Sequence, residues 1–561
     1  MDAARPALSR RAALLLAIPP GLFLAVFFAW PVASIVARGL LPAGGFDAGA
    51  LLAVWTRPST LDVLAFTLAL ALGATALTLV LGLPAAWVFA RFRFPGKSVA
   101  RALVTVPFVL PTVVVGSAFL ALLGPRSPVN ALLEGVLGPD APQLRLDGST
   151  VAIVLASIFY NIAVVIRLVG GLWAHLDPRT EEAARMLGAS PWRAFQETTW
   201  PLLRPAVLSA TSIVLLFTLT SFGIVLLLGA PGQATLEVEI YRQTAVLLDL
   251  EAAAALSVLQ LAGVFLLLLA HARAQERLAV EQRLRPTAEV ECPPATRRER
   301  AAVSVTLGGL GLLVGLPLVV LVERSFAGVG GYSLSAYQAL VEQPRRAGLF
   351  VPPAEAIGNS LAFAFATLLI AGALGLCAAL VVGYRRGWLP QTFDALVMLP
   401  LGTSAVTVGF GFLIALDSPP LDLRTSVLLI PLAHSLVALP FVVRAVAPVI
   451  RSIDPRLREA AAVLGAAPRR SWREVDGPIV ARAALVGAAF AFAVSLGEFG
   501  ATLFIARPDR PTLPIAIYRL LGLPGAMNFA QAMALSAVLL VLTAVAVLLI
   551  ERVRGAGPSP F

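Results

Sequence analysis

The sequence predicts an all-α membrane protein of about twelve spans, built as two parallel six-helix units in one chain. Three observations lead there. Of 561 residues, 58% are hydrophobic and only 13% charged, too little charge to clothe a soluble surface of that size. Apolar runs of roughly twenty residues, the length that crosses a bilayer, recur along the whole chain. The second half then repeats the first in register.

The runs cover approximately 12–37, 62–90, 102–123, 150–173, 203–228, 252–270, 301–322, 356–383, 391–416, 424–449, 480–505 and 529–550. The first follows Arg10 and Arg11 but is too long for a signal peptide's apolar core, and it reads as a retained anchor. With the N-terminus inside, inside segments hold 29 Lys and Arg, outside loops hold 12, and Arg167 and Arg444 fall within spans. Cytoplasmic loops retain cations, so both termini are expected in the cytoplasm.

The net charge of +11 does not point to nucleic acid. Lys97 is the sole lysine, and the arginines sit in short loops beside spans with no basic face interleaved with aromatics. Cys292 and Cys377 lie far apart, one in a polar linker and one in a span, which argues against a disulfide. His175, His271 and His434 share no ligand spacing, so no metal site is expected.

At an offset of 277, Arg167 matches Arg444, Asp177-Pro178-Arg179 matches Asp454-Pro455-Arg456, and Phe222-Gly223 matches Phe499-Gly500. Ile240-Tyr241-Arg242 likewise matches Ile517-Tyr518-Arg519. Upstream, Pro107 and Val115-Gly116 match Pro400 and Val408-Gly409 at an offset of 293, so the outside loop near 124–149 is longer in the first half. An even number of spans per half makes the repeats parallel. The division is 1–270 for the first unit, 271–300 for a cytoplasmic linker and 301–561 for the second unit. The linker, rich in Arg, Glu and Pro, reads as a solvated tether.

The strongest local signal lies between the fourth and fifth spans of each half, over 177–201 and 454–478. One copy reads Glu182-Ala183-Ala184, three residues, Gly188, twelve residues, Pro201; the other reads Glu459-Ala460-Ala461, three residues, Gly465, twelve residues, Pro478. Glu251-Ala252-Ala253 also occurs, but without the downstream glycine and proline. Asp-Pro favours a helix start, the glycine permits a sharp change of direction, and Trp192, Phe195 and Trp472 supply bulk. The expected outcome is a short helix, a turn and a second helix, a knob suited to a groove on a soluble partner, with Pro201 and Pro478 punctuating the start of the fifth span.

This pattern resembles the coupling motif of binding-protein-dependent ABC importer permeases with the type I, MetI-like fold, and the likeness covers nearly the whole chain. The family pattern ends in Leu-Pro, whereas this chain has Trp200-Pro201 and Gly477-Pro478. The fused pair of units is similar to the thiamine and ferric-iron permeases. Ser221-Phe222-Gly223 and the segment from Gly229 to Glu237 look more like the thiamine branch. The resemblance implies two copies of a cytoplasmic ABC ATPase docked on the two knobs, an extracytoplasmic substrate-binding protein, and a place in a bacterial inner membrane.

Gly96-Lys97-Ser98 supplies only the end of a nucleotide-binding loop, because Arg91 stands where the opening glycine is required. The chain is therefore expected to be no enzyme and to hold no cofactor of its own, with ATP-Mg bound by the partner ATPase. The rival class is an ion-coupled secondary transporter, which needs ionisable groups at membrane depth. The candidates there, and for the substrate path, are Ser221, Phe222, Glu498, Phe499, Arg167 and Arg444. Arg167 and Arg444 near cytoplasmic span ends also suit snorkelling to headgroups, and Glu498 suits a structural pairing, for instance with an arginine.

Overall fold

The computed structural model describes residues 8–41, 47–138, 142–143, 145–278, 290–328, 331–342, 351–417, 419 and 421–554. Among these, eleven helices are long and apolar enough to cross a membrane: Arg10–Leu40, Pro58–Arg91, Thr112–Leu137, Thr150–Trp173, Pro191–Leu219, Leu250–Gln275, Arg297–Ser325, Glu355–Tyr384, Leu429–Ser452, Pro468–Gly497 and Ala526–Arg552. A twelfth crossing results if Trp388–Gly402 and Ala405–Ala415, bent by 96°, count as one span. The sole paired strands among the described residues are Ala327–Gly328 and Gly331–Tyr332, a minimal antiparallel hairpin. The all-α reading and the two six-span repeats hold.

Among the described residues, four spans carry one wide π-helical turn each, at Ala25–Ala29, Phe195–Thr199, Gly311–Gly315 and Trp472–Asp476. Each is followed, at the second residue after it, by a proline: Pro31, Pro201, Pro317 and Pro478. A helical proline lacks an N–H and its ring collides with the carbonyl four residues back. In all four cases that carbonyl belongs to the π turn, whose wider winding makes room for the ring. Pro201 and Pro478, expected to punctuate the start of the fifth span, thus sit inside helices continuous with that span in each repeat. Other prolines, such as Pro84 and Pro440, fit their helices without such a turn.

Breaks occur elsewhere. The run at 102–123 divides at Leu110-Pro111 between Lys97–Val109 and Thr112–Leu123. The run at 391–416 divides at Thr403-Ser404, where the Ser404 hydroxyl accepts from the amides of Val406 and Thr407. The runs at 203–228 and 480–505 each end in a separate six-residue helix, Gly223–Leu228 and Gly500–Ile505. Two further short helices, Leu236–Ala245 and Leu513–Gly522, follow them. The start of each is fastened to the second span of its own repeat. Leu236 N–H donates to Thr67 Oγ1 at 3.0 Å, and Leu513 N–H donates to Ser360 Oγ at 2.7 Å.

Within each repeat the second and fourth spans touch through a glycine. A Cβ on Gly82 would lie 2.8 Å from Val165, and one on Gly375 would lie 2.5 Å from Val442. Glycine pairs with glycine and valine with valine across the two repeat offsets, so the repeat is conserved in packing as well as in letters.

The chain sorts into two compact units in an order that crosses the sequence division. One gathers Met1–Leu51, Ile240–Val258 and Phe326–Phe561; the other gathers Leu52–Glu239 and Leu259–Ser325. The first span therefore sits among second-repeat helices, where Pro31 abuts Gly411 so closely that a Cβ there would meet it at 2.9 Å. The seventh span, Arg297–Ser325, sits among first-repeat helices.

The linker is more than a solvated tether. Residues 279–289 lie outside the described residues, but beyond them Arg93 N–H donates to the Cys292 carbonyl at 2.9 Å, and Cys292 N–H donates to that of Arg91 at 3.0 Å. Lys97 Nζ lies 2.8 Å from Glu291 Oε1 and also donates to the Phe92 carbonyl at 2.8 Å. Burial lowers the lysine pKa, and the Glu291 carboxylate opposes that shift.

The glycine contacts are open to test. Gly375→Ala forces Val442 or its helix aside and is expected to cost about 1–3 kcal/mol, read as a lower unfolding temperature of the purified protein. Val442→Ala added to it should recover part of that loss. An unshifted unfolding temperature in the single variant would mean that the two spans are not held this close.

Candidate functional site

The two Glu-Ala-Ala segments fold alike. In the first, helix Arg179–Met186 ends at Gly188, whose φ of 91° lies in the left-handed region. Gly188 N–H donates to the Arg185 carbonyl, and Ala189 N–H reaches back to that of Ala184 at 3.1 Å. In the second, helix Pro455–Val463 ends at Gly465, with φ of 81°. Gly465 N–H donates to Ala462, and Ala466 N–H to Ala461 at 2.9 Å. Both are Schellman closures, in which only glycine takes the left-handed position at no steric cost. Ala183 and Ala460 accept in turn from Leu187 and Leu464. The motif alanines therefore supply the carbonyls that close the turn, while Glu182 and Glu459 point outward and are exposed.

A short second helix then leads into the π turn and the fifth span. Position-equivalent pairs brace it in both copies: Arg193 to Glu197 at 2.8 Å, and Arg470 to Glu474 at 2.9 Å. A second equivalent pair ties the knob's first helix to the base of the fifth span, with different chemistry in each repeat. Thr199 Oγ1 donates to Glu181 at 3.0 Å in the first. In the second, Arg458 Nε lies 3.0 Å from both oxygens of the buried Asp476, with its guanidinium over the Tyr384 ring. Trp192 stacks on Phe195, which in turn stacks on Trp173.

The tips are apolar and bare. Met186 and Leu187 are 89% and 91% exposed, and their equivalents Val463 and Leu464 are 87% and 86% exposed. Two adjacent large apolar side chains at a rigid turn, twice over, are the pattern of a surface meant to be covered. Sequence reasoning found the turn glycines but missed the tips. The signal was there, an apolar pair just before each glycine, but in so apolar a chain it does not stand out.

The substrate-path candidates fall in different surroundings. Glu498 is 7% exposed and occupies the break between Pro468–Gly497 and Gly500–Ile505. Its carboxylate accepts from the amides of Ala501 at 2.8 Å and Thr502 at 3.0 Å, and from the Thr502 hydroxyl. His434 joins from the tenth span: Nδ1 meets Ser495 Oγ at 2.7 Å, Nε2 meets Thr502 Oγ1 at 2.8 Å, and Nε2 lies 3.3 Å from Glu498. The partner of Glu498 is thus a histidine and a set of amides rather than an arginine. In the first repeat, Asn161 and Thr218 form the corresponding link between fourth and fifth spans at 3.4 Å. Thr218 and Ser495 are repeat equivalents.

Ser221, half-buried, accepts at its carbonyl from the Thr235 hydroxyl, and Phe222 is buried. Phe499 packs on Tyr518 with ring centres 5.5 Å apart. Arg167 and Arg444 are exposed, and Arg444 Nε reaches Met398 Sδ at 3.2 Å. Glu498 and its neighbour Phe499 share one locus, whereas the two arginines lie elsewhere on their spans. Among the described residues, no cluster of three or more His, Cys, Asp or Glu is arranged to hold a metal ion.

The position of Glu498 yields an expectation. Glu498→Gln removes one acceptor from two amides, a hydroxyl and an imidazole, at about 1–3 kcal/mol for a buried donor left unpaired. The unfolding temperature should fall, and it should fall further in Glu498→Ala. Lost transport at unchanged stability would instead place Glu498 on the substrate path.

Residues 78–280 match the family described as binding-protein-dependent transport system inner membrane component. A thiamine transport system permease protein of Brucella abortus is 27% identical over 92% of this chain and 91% of its own length. A putative 2-aminoethylphosphonate transport system permease protein of Salmonella typhimurium is 32% identical, over 42% of this chain and 83% of its own. One chain of a crystal structure of a bacterial alginate ABC transporter, in complex with an alginate pentasaccharide-bound periplasmic protein, overlays 48% of this chain and 96% of its own at a TM-score of 0.42 and 17% identity.

Proposed function

The chain belongs to the binding-protein-dependent transport system inner membrane components, the permeases of ABC importers, and on that footing we propose that it imports thiamine or a related compound by docking two ATPase subunits on its two knobs. The thiamine assignment is supported by the Brucella relative, which this chain matches along nearly its whole length. A ferric-iron substrate is not named among the relatives above, and nothing in them favours an ion-coupled secondary transporter.

The observation that carries the coupling reading is the repeated apolar tip at Met186-Leu187 and Val463-Leu464, each held out by a left-handed glycine. Buried against a partner, such side chains give about 1.5–3 kcal/mol apiece, and the braced helix behind each tip transmits a push to the fifth span without yielding. ATP-Mg binds in the partner, so hydrolysis reaches the membrane helices only through these contacts. An extracytoplasmic binding protein delivers the substrate on the opposite face. The knobs then lie in the cytoplasm with both termini, in a bacterial inner membrane, in agreement with the excess of arginine on that side.

The test is Gly188→Val with Gly465→Val. No atom stands within 4 Å of the added Cβ at either site, so the substitutions act through backbone strain at positive φ. Span insertion, which depends on span hydrophobicity, should be untouched. Each single variant should weaken ATPase binding and import to a similar degree, and the pair should abolish import. Parental import by a stably inserted double variant would remove coupling from these segments.

A further inference from the structure

The hydrogen bonds around His434 allow its protons to be counted. Thr367, His434, Ser495, Glu498 and Thr502 are all buried. They lie on Glu355–Tyr384, Leu429–Ser452, Pro468–Gly497 and Gly500–Ile505, or in the break before the last of these. Each hydroxyl has one proton to give. Thr367 gives its own to the Pro431 carbonyl and accepts from Ser495 Oγ at 3.2 Å. Ser495 has then spent its proton and can only accept from His434 Nδ1, 2.7 Å away.

The other ring nitrogen meets the same restriction. Thr502 Oγ1 donates to the Glu498 carboxylate, and the Glu498 carbonyl at 3.4 Å draws that proton to the same residue. Thr502 Oγ1 therefore accepts from His434 Nε2 at 2.8 Å. A neutral imidazole has one ring N–H and cannot serve both hydroxyls, whereas an imidazolium can. Its charge lies 3.3 Å from Glu498 Oε2. Both carboxylate oxygens already accept from backbone amides, as an ionised carboxyl does. Opposite charges this close answer each other at membrane depth, where a lone ion would be costly.

Other charges stand away from the pair. Thr367, His434 and Ser495 are each ten or more residues from the nearest other ionisable residue of their own helix, Cys377, Arg444 and Arg482, about 15 Å of helix rise. Of the remaining helices packed on Leu429–Ser452, Trp388–Gly402 brings Asp394, which faces Arg451 at 4.0 Å. The π turn Ala25–Ala29, Ala405–Ala415 and Gly500–Ile505 bring no ionisable side chain. The first repeat lacks the pair, with Ser157 at the position of His434 and Ser221 at that of Glu498.

We propose that a bound proton is the ligand of this site, making His434 an imidazolium paired with Glu498 and latching the tenth span to the eleventh and to Gly500–Ile505. As pH rises and the proton leaves, one hydroxyl loses its donor and the latch opens, in the second repeat alone. The device works whichever compound is carried.

The test is NMR of the full chain in lipid nanodiscs with isotope-labelled histidine, in a His175→Gln, His271→Gln background where His434 gives the single signal. At neutral pH both ring nitrogens should carry protons. Raising the pH should remove one, and in the same step deuterium exchange at Gly500–Ile505 should rise severalfold relative to its counterpart Gly223–Leu228, which supplies the baseline. A bare ring nitrogen at neutral pH overturns the proposal, wherever the proton is then found. So does loss of the proton with no change in relative exchange. Glu498→Gln removes the counter-ion and should leave the imidazole neutral; two ring protons retained in that variant would also contradict the pairing. Should Glu498→Gln fail to fold, the two measurements with Glu498 in place still decide.

Discussion

Inside a bilayer no water is at hand for a backbone amide that loses its helical partner, and each such group costs several kcal/mol. Several departures from straight helix among the described residues answer to that constraint. Where a proline removes an N–H and crowds a carbonyl, four spans widen into a π turn. Where a span stops short, a side chain from the same or a neighbouring helix takes the released amides: Ser404 at the ninth span, Glu498 at the eleventh, Thr67 and Ser360 at the short helices. The polar residues at depth are, for the most part, the cement of broken helices. Their number alone says little about an ion pathway.

Thr67, Ser360, His434 and Glu498 all face donors or acceptors of the protein. The knobs leave a different kind of group unanswered. Their backbone is fully closed by the Schellman bonds, and what they leave unsatisfied is apolar surface.

Much of this was legible in the sequence because it follows from local chemistry. Span number comes from run length, repeat register from matched residues, and the knob turn from a glycine at fixed distance from Glu-Ala-Ala. What escaped the sequence depends on contacts between distant segments or on small differences in helix length. The helices Leu236–Ala245 and Leu513–Gly522 were missed because ten residues are too few to read as a span. The break at Thr403-Ser404 follows Pro400 and Gly402, but Gly and Pro recur within unbroken spans of this chain and so do not mark it. The docking of Glu291 and Cys292 onto Arg91–Lys97 joins residues some two hundred positions apart, and the exchange of first and seventh spans between the compact units leaves no trace in hydropathy. The histidine partner of Glu498 lies 64 residues upstream on another span, where no spacing rule reaches it.

The central claim is that two apolar tips, one per repeat, each hold one ATPase subunit. Native mass spectrometry of the complex released from nanodiscs measures it directly. The parent should carry two ATPase subunits, Leu187→Glu or Leu464→Glu should leave one, and the two changes together should leave none, since a carboxylate buried in an apolar groove is too costly to keep. Two ATPase subunits retained by the double variant would contradict the claim.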